Sequence, residues 1–165
     1  MISAAQFAEA LRWIERSSLA EVVRVAPFLY PLLESLHVLG IALLVGAAVA
    51  VDLRLLGVGR GVLPVTTVAR YLLPVSHVGF LLVVVTGLAM FSGVARAVAY
   101  SAAAPWKFGL IVAAGINILV FHFGVYRSVH LWDLDGATPI AARAAAIISA
   151  ICWTGTIIAG RFLAY

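Results

Sequence analysis

Four apolar stretches dominate this chain, and each is long enough to cross a lipid bilayer. They cover about residues 27–51, 71–95, 106–126 and 140–160. A helix needs about 20 mostly apolar residues to span the hydrocarbon core of a membrane. Of all residues, 64% are hydrophobic and 11% are charged, whereas soluble domains carry about 25% charged residues. The sequence therefore predicts an all-α integral membrane protein with a single domain over residues 1–165.

Short connectors join the four stretches, and this predicts a four-helix transmembrane up-down bundle with both termini on one side. Glycine and proline are frequent in the connectors, as in residues 57–64. Lysine and arginine residues are divided almost evenly between the two sides, so the positive-inside rule sets no orientation. No basic stripe with interleaved aromatic residues is present, and nucleic-acid binding is therefore a poor interpretation.

Residues 3–24 predict an amphipathic helix that precedes the bundle and lies in the membrane interface. Apolar residues recur at helical spacing while charged residues take the other side, with Phe7, Leu11 and Ile14 set against Glu9, Arg12, Glu15 and Arg16. Ser3 and Gln6 have the spacing of a capping box. The alternative is a solvated leader before the first spanning helix.

Ionisable side chains inside the apolar stretches are the candidate functional residues. They are costly in lipid, so they normally face the bundle interior and mark a cofactor, proton or ion site. Glu34 and His37 lie in the first stretch, His77 lies in the second, and His122 lies in the third.

His77 and His122 are predicted to lie at the same depth on neighbouring antiparallel helices. His77 follows Arg70 by seven residues, and His122 precedes Arg127 by five, which places both roughly 7–11 Å inside the side opposite the termini. Two such imidazoles can hold a b-type haem iron from both sides. Copper is the other metal that suits imidazole here, and an interhelical hydrogen bond without any cofactor is the plain structural alternative.

His37 lies deeper, about ten residues into the first stretch, with Glu34 one turn away. Glu34 is close enough to accept the ring proton of His37 or to relay a proton. This pair fits a second haem, a quinone headgroup or a proton path. In the second stretch, Thr86 and Gly87 form a small patch that favours close helix approach.

Three arginines near the side opposite the termini are candidate partners for haem propionates, because guanidinium groups pair strongly with carboxylates. They are Arg54, Arg70 and Arg127. The alternative for each is an ordinary charge at a helix end that faces lipid headgroups.

Three segments carry a family resemblance: ESLHVLGIALLVGAAVAVDLRLLG, PWKFGLIVAAGINILVFH and the terminal GRFLAY. They resemble an uncharacterised family of small four-helix bacterial membrane proteins. The first two segments are also similar to the membrane-bound protoporphyrinogen oxidase of bacteria and to copper-resistance D membrane proteins. The resemblance implies a multi-pass protein of the bacterial inner membrane, with His37, Lys107 and His122 as the functional set in haem, porphyrin or copper handling.

The leading hypothesis is a membrane b-type cytochrome that binds one or two haems and transfers electrons between a quinol-type donor and a partner. Its expected ligands are His77 and His122, with His37 as the third candidate. The alternatives are a porphyrin-handling enzyme that depends on His37 and Lys107, a copper-handling protein, and a cofactor-free assembly subunit. Membrane lipid is the expected surrounding, and oligomeric state and oxidoreductase activity are left open.

Overall fold

The structure is a computed structural model that describes residues 3–163, and these residues are helical without any strand. The outermost residues of the predicted domain, 1–2 and 164–165, lie outside the described part. The helices are α1 (Ala4–Glu15), α2 (Ser18–Val25), α3 (Leu29–Leu56), α4 (Val65–Gly93), α5 (Ala95–Ala99), α6 (Ala104–Phe123) and α7 (Ile140–Phe162), with a 3₁₀ helix at Val125–Leu131 between α6 and α7.

Within residues 3–163, four helices are long and apolar enough to cross a membrane, namely α3, α4, α6 and α7. The all-α fold and the four candidate spans agree with the sequence, but the bounds differ. Helix α3 runs on to Leu56, past the charged residues Asp52 and Arg54 that suggested an earlier end. Helix α4 already begins at Val65, directly after Pro64. Both shifts extend the helices into a region where loop carbonyls accept hydrogen bonds from Arg54.

Helix α3 packs most closely against α4, at a point where two glycines meet. A Cβ added to Gly79 would lie 2.5 Å from the backbone nitrogen of Leu44 and 2.8 Å from the carbonyl oxygen of Gly40. The Ser76 hydroxyl also donates to the Leu44 carbonyl, at 3.4 Å. Small residues let two membrane helices approach until their backbones touch. This contact therefore fixes the separation and register of α3 and α4.

The other helices are added to this pair in a definite order. Helix α3 also packs against α7, and α7 packs against α6, whereas α4 and α6 make almost no contact with each other in residues 3–163. A cluster around Leu44, Ala114, Cys152 and Trp153 fills the centre. The bundle is therefore closed along α4, α3, α7 and α6 but open between α4 and α6.

A buried arginine holds together the loop end of the bundle, which we define as residues 57–64 and 124–139. Arg54 is 2% exposed, and its guanidinium donates to the carbonyl of Leu63 and, at 2.8 and 3.3 Å, to those of Asp133 and Leu134. The Asp133 carboxylate accepts the backbone N–H of Thr66 at 2.8 Å and its hydroxyl at 2.7 Å. Both loops are thus tied to the first turn of α4.

The N-terminal segment forms two helices, whereas the sequence predicted one helix over residues 3–24. The predicted capping box is present, with Ser3 and Gln6 bonded reciprocally. The break lies at Ser17, whose hydroxyl donates to the Ile14 carbonyl at 2.7 Å and accepts the Ala20 N–H at 3.2 Å. A serine that bonds its own backbone in this way ends one helix and caps the next.

Both short helices dock at the C-terminal end of α4, which we call the terminal end of the bundle. The Glu15 carboxylate accepts the Arg96 backbone N–H at 2.9 Å and its Nε–H at 2.6 Å, which joins α1 to α5. The backbone N–H of Arg96 is the main cause that lowers the pKa of Glu15, and partial burial opposes it. Arg24 of α2 donates to the carbonyl of Gly93 at 3.4 Å.

We expect Gly79→Ala to destabilise the bundle by about 1–3 kcal/mol, because backbone atoms surround the new methyl group and cannot move aside cheaply. The matched control is Gly46→Ala, where an added Cβ meets no atom within 4 Å and a gain of helix propensity is expected. Thermal unfolding in one detergent measures both variants. Equal stability of the two would contradict the close contact of α3 and α4.

We expect Glu15→Gln to loosen the docking of α1 on α5 by about 1 kcal/mol at neutral pH, since a partly exposed charge-assisted bond is lost. The pKa of Glu15 lies below its ordinary 4.5 in the folded protein. The contribution is therefore complete above pH 4.5 and is lost as the pH falls through the lowered value.

Hydrogen exchange of residues 4–15, compared between wild type and variant at the same pH, measures this docking. The exchange rates of wild type and Glu15→Gln should differ several-fold at pH 7, and this difference should vanish in acid. Glu9→Gln is the control, because Glu9 forms an exposed pair with Arg12 at 3.2 Å. An equal effect of the control would contradict a specific role of Glu15.

Candidate functional site

His37 lies between α3 and α4, where one hydrogen bond fixes the protonation of its ring. The Thr86 hydroxyl donates its single proton to the Leu82 carbonyl at 2.6 Å. The His37 Nδ1 atom lies 2.9 Å from the same hydroxyl, and because the hydroxyl proton is directed to Leu82, we assign the proton of this second bond to Nδ1. The lone pair of the neutral ring is therefore on Nε2, as in metal-binding histidines that are held through their other nitrogen.

Gly87 gives the His37 ring its space. A Cβ at Gly87 would lie 3.1 Å from Cε1 of His37, closer than an ordinary contact. The patch of Thr86 and Gly87, which the sequence indicated only as a place for close helix approach, thus holds this imidazole. Thr86 is 2% exposed, so its contact with His37 is shielded.

Glu34 does not share in this arrangement. Its side chain is exposed on α3, and the ring proton of His37 goes to Thr86. The sequence favoured Glu34 because it lies one turn before His37 on the same helix. The bond to Thr86 depends on the packing of α4 against α3, which helical spacing alone does not reveal.

Lys107 lies near His37 and is half-buried in the first turn of α6. Its ammonium is within electrostatic range of the His37 ring. Its Nζ atom would lie 3.6 Å from a Cβ placed on Gly160, so the side chain runs across α7 at that glycine. The structure therefore groups His37 and Lys107, from separate helices, towards the terminal end of the bundle.

His122 is half-buried near the C-terminal end of α6. Its Nδ1 lies 3.0 Å from the carbonyl oxygen of Ile118, and since a carbonyl can only accept, Nδ1 carries the proton. Its ring centroid is 5.2 Å from that of Tyr126 and 5.4 Å from that of Phe121. This backbone bond leaves the lone pair on Nε2, as in His37.

His77 is exposed on α4. Among residues 3–163 it has no hydrogen bond, and no ring contact joins it to His122. His77 is the residue after Ser76, which contacts α3, so it points about 100° away from that contact. In the same described residues, no three His, Cys, Asp or Glu side chains come together as a candidate metal site.

The three candidate arginines are in different environments. Arg54 is buried and donates to loop carbonyls, and its Nη1 has no hydrogen-bond partner among the described residues. Arg70 and Arg127 are exposed, so their guanidinium groups are accessible.

Asp52 is a buried polar residue that the sequence indicated only as a helix end. It is 7% exposed and lies beside the hydroxyl of Ser149 in α7, and its Oδ2 has no partner among residues 3–163. In the sequence, the only indication of this was a carboxylate within a mostly apolar helix. The burial of Asp52 depends on the packing of α7 against α3.

Comparison with known protein families gives one match, which covers residues 10–165 and is described as a family of unknown function (DUF6644). The chain belongs to the DUF6644 family. No curated protein matches this DUF6644 chain significantly, and no solved structure does so either.

The family match agrees with the expected resemblance to an uncharacterised family. A relationship of this DUF6644 protein to membrane-bound protoporphyrinogen oxidase or to copper-resistance D proteins is not shown. Any argument for porphyrin or copper chemistry must therefore come from the residues of this chain alone.

We expect Thr86→Val to release the His37 ring, because valine keeps the shape but removes the acceptor for Nδ1–H. Nitrogen NMR of ring-labelled histidine should change from one tautomer, protonated at Nδ1, to a mixture of both. The cost in stability should be about 0.6 kcal/mol, as for other hydrogen bonds between membrane helices.

Thr154→Val is the control for this variant, because Thr154 is exposed on α7 and should leave the His37 signals unchanged. A wild-type ring that is protonated at Nε2 would contradict the assigned tautomer.

Proposed function

We propose that this protein is a membrane b-type cytochrome that holds a haem between α4 and α6 and passes electrons through it. The observation that carries the proposal is the open side of the bundle. Helices α4 and α6 each bear one histidine. They are consecutive candidate spans, yet within residues 3–163 they make almost no contact with each other. Axial imidazole ligands from two helices are a common way to hold such a group.

The state of His122 fits this role. Its Nδ1–H is bonded to the Ile118 carbonyl at 3.0 Å, which orients the ring and leaves Nε2 as the ligand atom. Histidines that bind metals usually donate their other N–H to a carbonyl or carboxylate in this manner.

The faces of α4 and α6 support the same placement. Helix α4 contacts α3 through Ser76 and Gly79, and helix α6 contacts α7 through Asn117, which donates to the Ala145 carbonyl at 2.9 Å. His77 is turned about 100° from Ser76, and His122 is turned about 140° from Asn117. His77 is also turned about 160° from Gly79, so both histidines point away from these helix contacts, and the proposal directs them to the open side.

The surface around His122 suits a flat apolar macrocycle. Ile118 and Leu119 are 44% and 55% exposed, and a Cβ on Gly115 would meet no atom within 4 Å. Leu81, one turn after His77, is 64% exposed. These residues would cover the ring, and the bound haem would supply one-electron chemistry. Arg70 and Arg127, both exposed, are the candidates to pair with its propionates, because Arg54 already donates to carbonyls.

The proposal places four up-down spans in the bacterial inner membrane, with α1 and α2 in its interface. Membrane lipid surrounds the bundle, and a quinol is the proposed electron donor because it is the mobile reductant of that membrane. His37, whose lone pair is on Nε2, is the candidate ligand for a second haem or the partner of a quinone headgroup.

The test is the reduced-minus-oxidised absorption spectrum of purified full-length protein that was expressed with ample haem, together with iron and copper analysis. We expect a b-type α-band and about one haem per chain. His77→Ala and His122→Ala should each lose most of the bound haem, because each removes one axial ligand. His130→Ala is the matched control, since His130 is exposed in the 3₁₀ helix, and it should keep the full band.

A wild-type spectrum without haem would overturn the cytochrome. Bound copper without haem would favour the copper-handling alternative, and the absence of both would favour a cofactor-free assembly subunit. If His37→Ala lost its haem while His77→Ala and His122→Ala kept theirs, the haem site would lie at the terminal end of the bundle.

A second candidate function, porphyrin handling, is favoured by the grouping of His37 and Lys107. The Lys107 ammonium can pair with a porphyrin carboxylate, and the His37 Nε2 lone pair can accept a proton from a substrate. The same preparations distinguish it, since added protoporphyrin would be retained by wild-type protein and released by Lys107→Gln without any haem band.

A further inference from the structure

A basic cavity of about 520 Å³ lies at the terminal end of the bundle, between the two short N-terminal helices and the segment that follows α4. Arg12 contributes from α1, Arg16 from the turn after α1, Arg24 from α2 and Arg96 from α5. Glu15 is the one acidic residue in its wall. This cavity is separate from His37, His77 and His122, and the function proposed above makes no use of it.

The cavity keeps a strong positive charge after its internal pairs are counted. The four guanidinium groups exceed the single carboxylate by three charges. Glu15 is bonded to Arg96 at 2.6 Å, and Arg12 pairs with Glu9 on the exposed side of α1. No ion pair is formed by Arg16 or Arg24 among the residues that the structure describes. Arg16 is therefore available to an anion, and Arg24 keeps the N–H donors that the Gly93 carbonyl does not use.

The level of the cavity in the membrane indicates where such an anion comes from. The cavity lies where α4 ends at Gly93, and in the proposed membrane arrangement this places its arginines at the boundary between hydrocarbon and headgroups. Large apolar side chains of the same N-terminal segment are exposed: Trp13 is 73%, Val25 is 73% and Phe28 is 85% exposed. A basic cavity next to an exposed apolar surface matches a lipid, with its charged head in the cavity and its chains outside.

We infer that this cavity binds the phosphate group of an anionic phospholipid and thereby fixes α1 and α2 to the membrane surface. Guanidinium groups suit phosphate because their planar N–H donors match two of its oxygens at once. Free inorganic phosphate has the same chemistry but lacks the acyl chains.

The experiment is native mass spectrometry of full-length protein that is released from nanodiscs. One set contains phosphatidylglycerol and the other phosphatidylcholine, and each is measured with and without 10-fold excess inorganic phosphate. We expect retained phosphatidylglycerol in the wild type and roughly 30-fold weaker retention in the double variant Arg16→Gln/Arg24→Gln. That factor corresponds to about 1 kcal/mol for each arginine near a membrane surface.

The matched control is Arg60→Gln/Arg143→Gln, which removes two exposed arginines at or near the loop end and should retain phosphatidylglycerol as the wild type does. Circular dichroism of each variant shows whether the helices persist. Retention of phosphatidylglycerol that inorganic phosphate does not displace supports the lipid. Displacement by phosphate, equal retention of both lipids, or an equal loss in the control would overturn it.

Discussion

The backbone contact between α3 and α4 is the constraint on which the candidate site depends. Gly40 and Gly79 let the helices approach until a methyl group at Gly79 would lie 2.5 Å from the Leu44 nitrogen. At this separation the Thr86 hydroxyl lies 2.9 Å from the His37 ring, and Gly87 leaves that ring its space. A wider spacing would leave a polar group unpaired in an apolar medium, which is costly.

Three further arrangements depend on how the other helices and loops join this pair. Because α7 separates α3 from much of α6, the side between α4 and α6 stays open, and the proposed haem position depends on that gap. At the loop end, Arg54 is buried and bonded to the carbonyls of Asp133 and Leu134. At the terminal end, Glu15 and Arg96 join α1 to α5, which gathers the remaining arginines around one cavity.

The proposed functions of the two ends are physically independent. We propose electron transfer for the histidines of α4 and α6, and attachment to the membrane surface for the arginine cavity. One requires neutral imidazoles with free Nε2 atoms, and the other requires permanent positive charge outside the hydrocarbon. Loss of either site would leave the packing at Gly40 and Gly79 intact, so each can be examined in a folded protein.

The sequence by itself determined the all-α class, the four candidate spans and the capping box at Ser3, because these depend on local composition and spacing. It also identified His37, since ionisable groups are conspicuous in apolar stretches, and it identified Lys107 through the family resemblance. Only the tertiary structure decided that His37 pairs with Thr86 rather than Glu34, that Asp52 and Arg54 are buried, and that Glu15 and Arg96 meet. These contacts join residues far apart in the chain, and the packing of separate helices, which local periodicity does not encode, sets their distances.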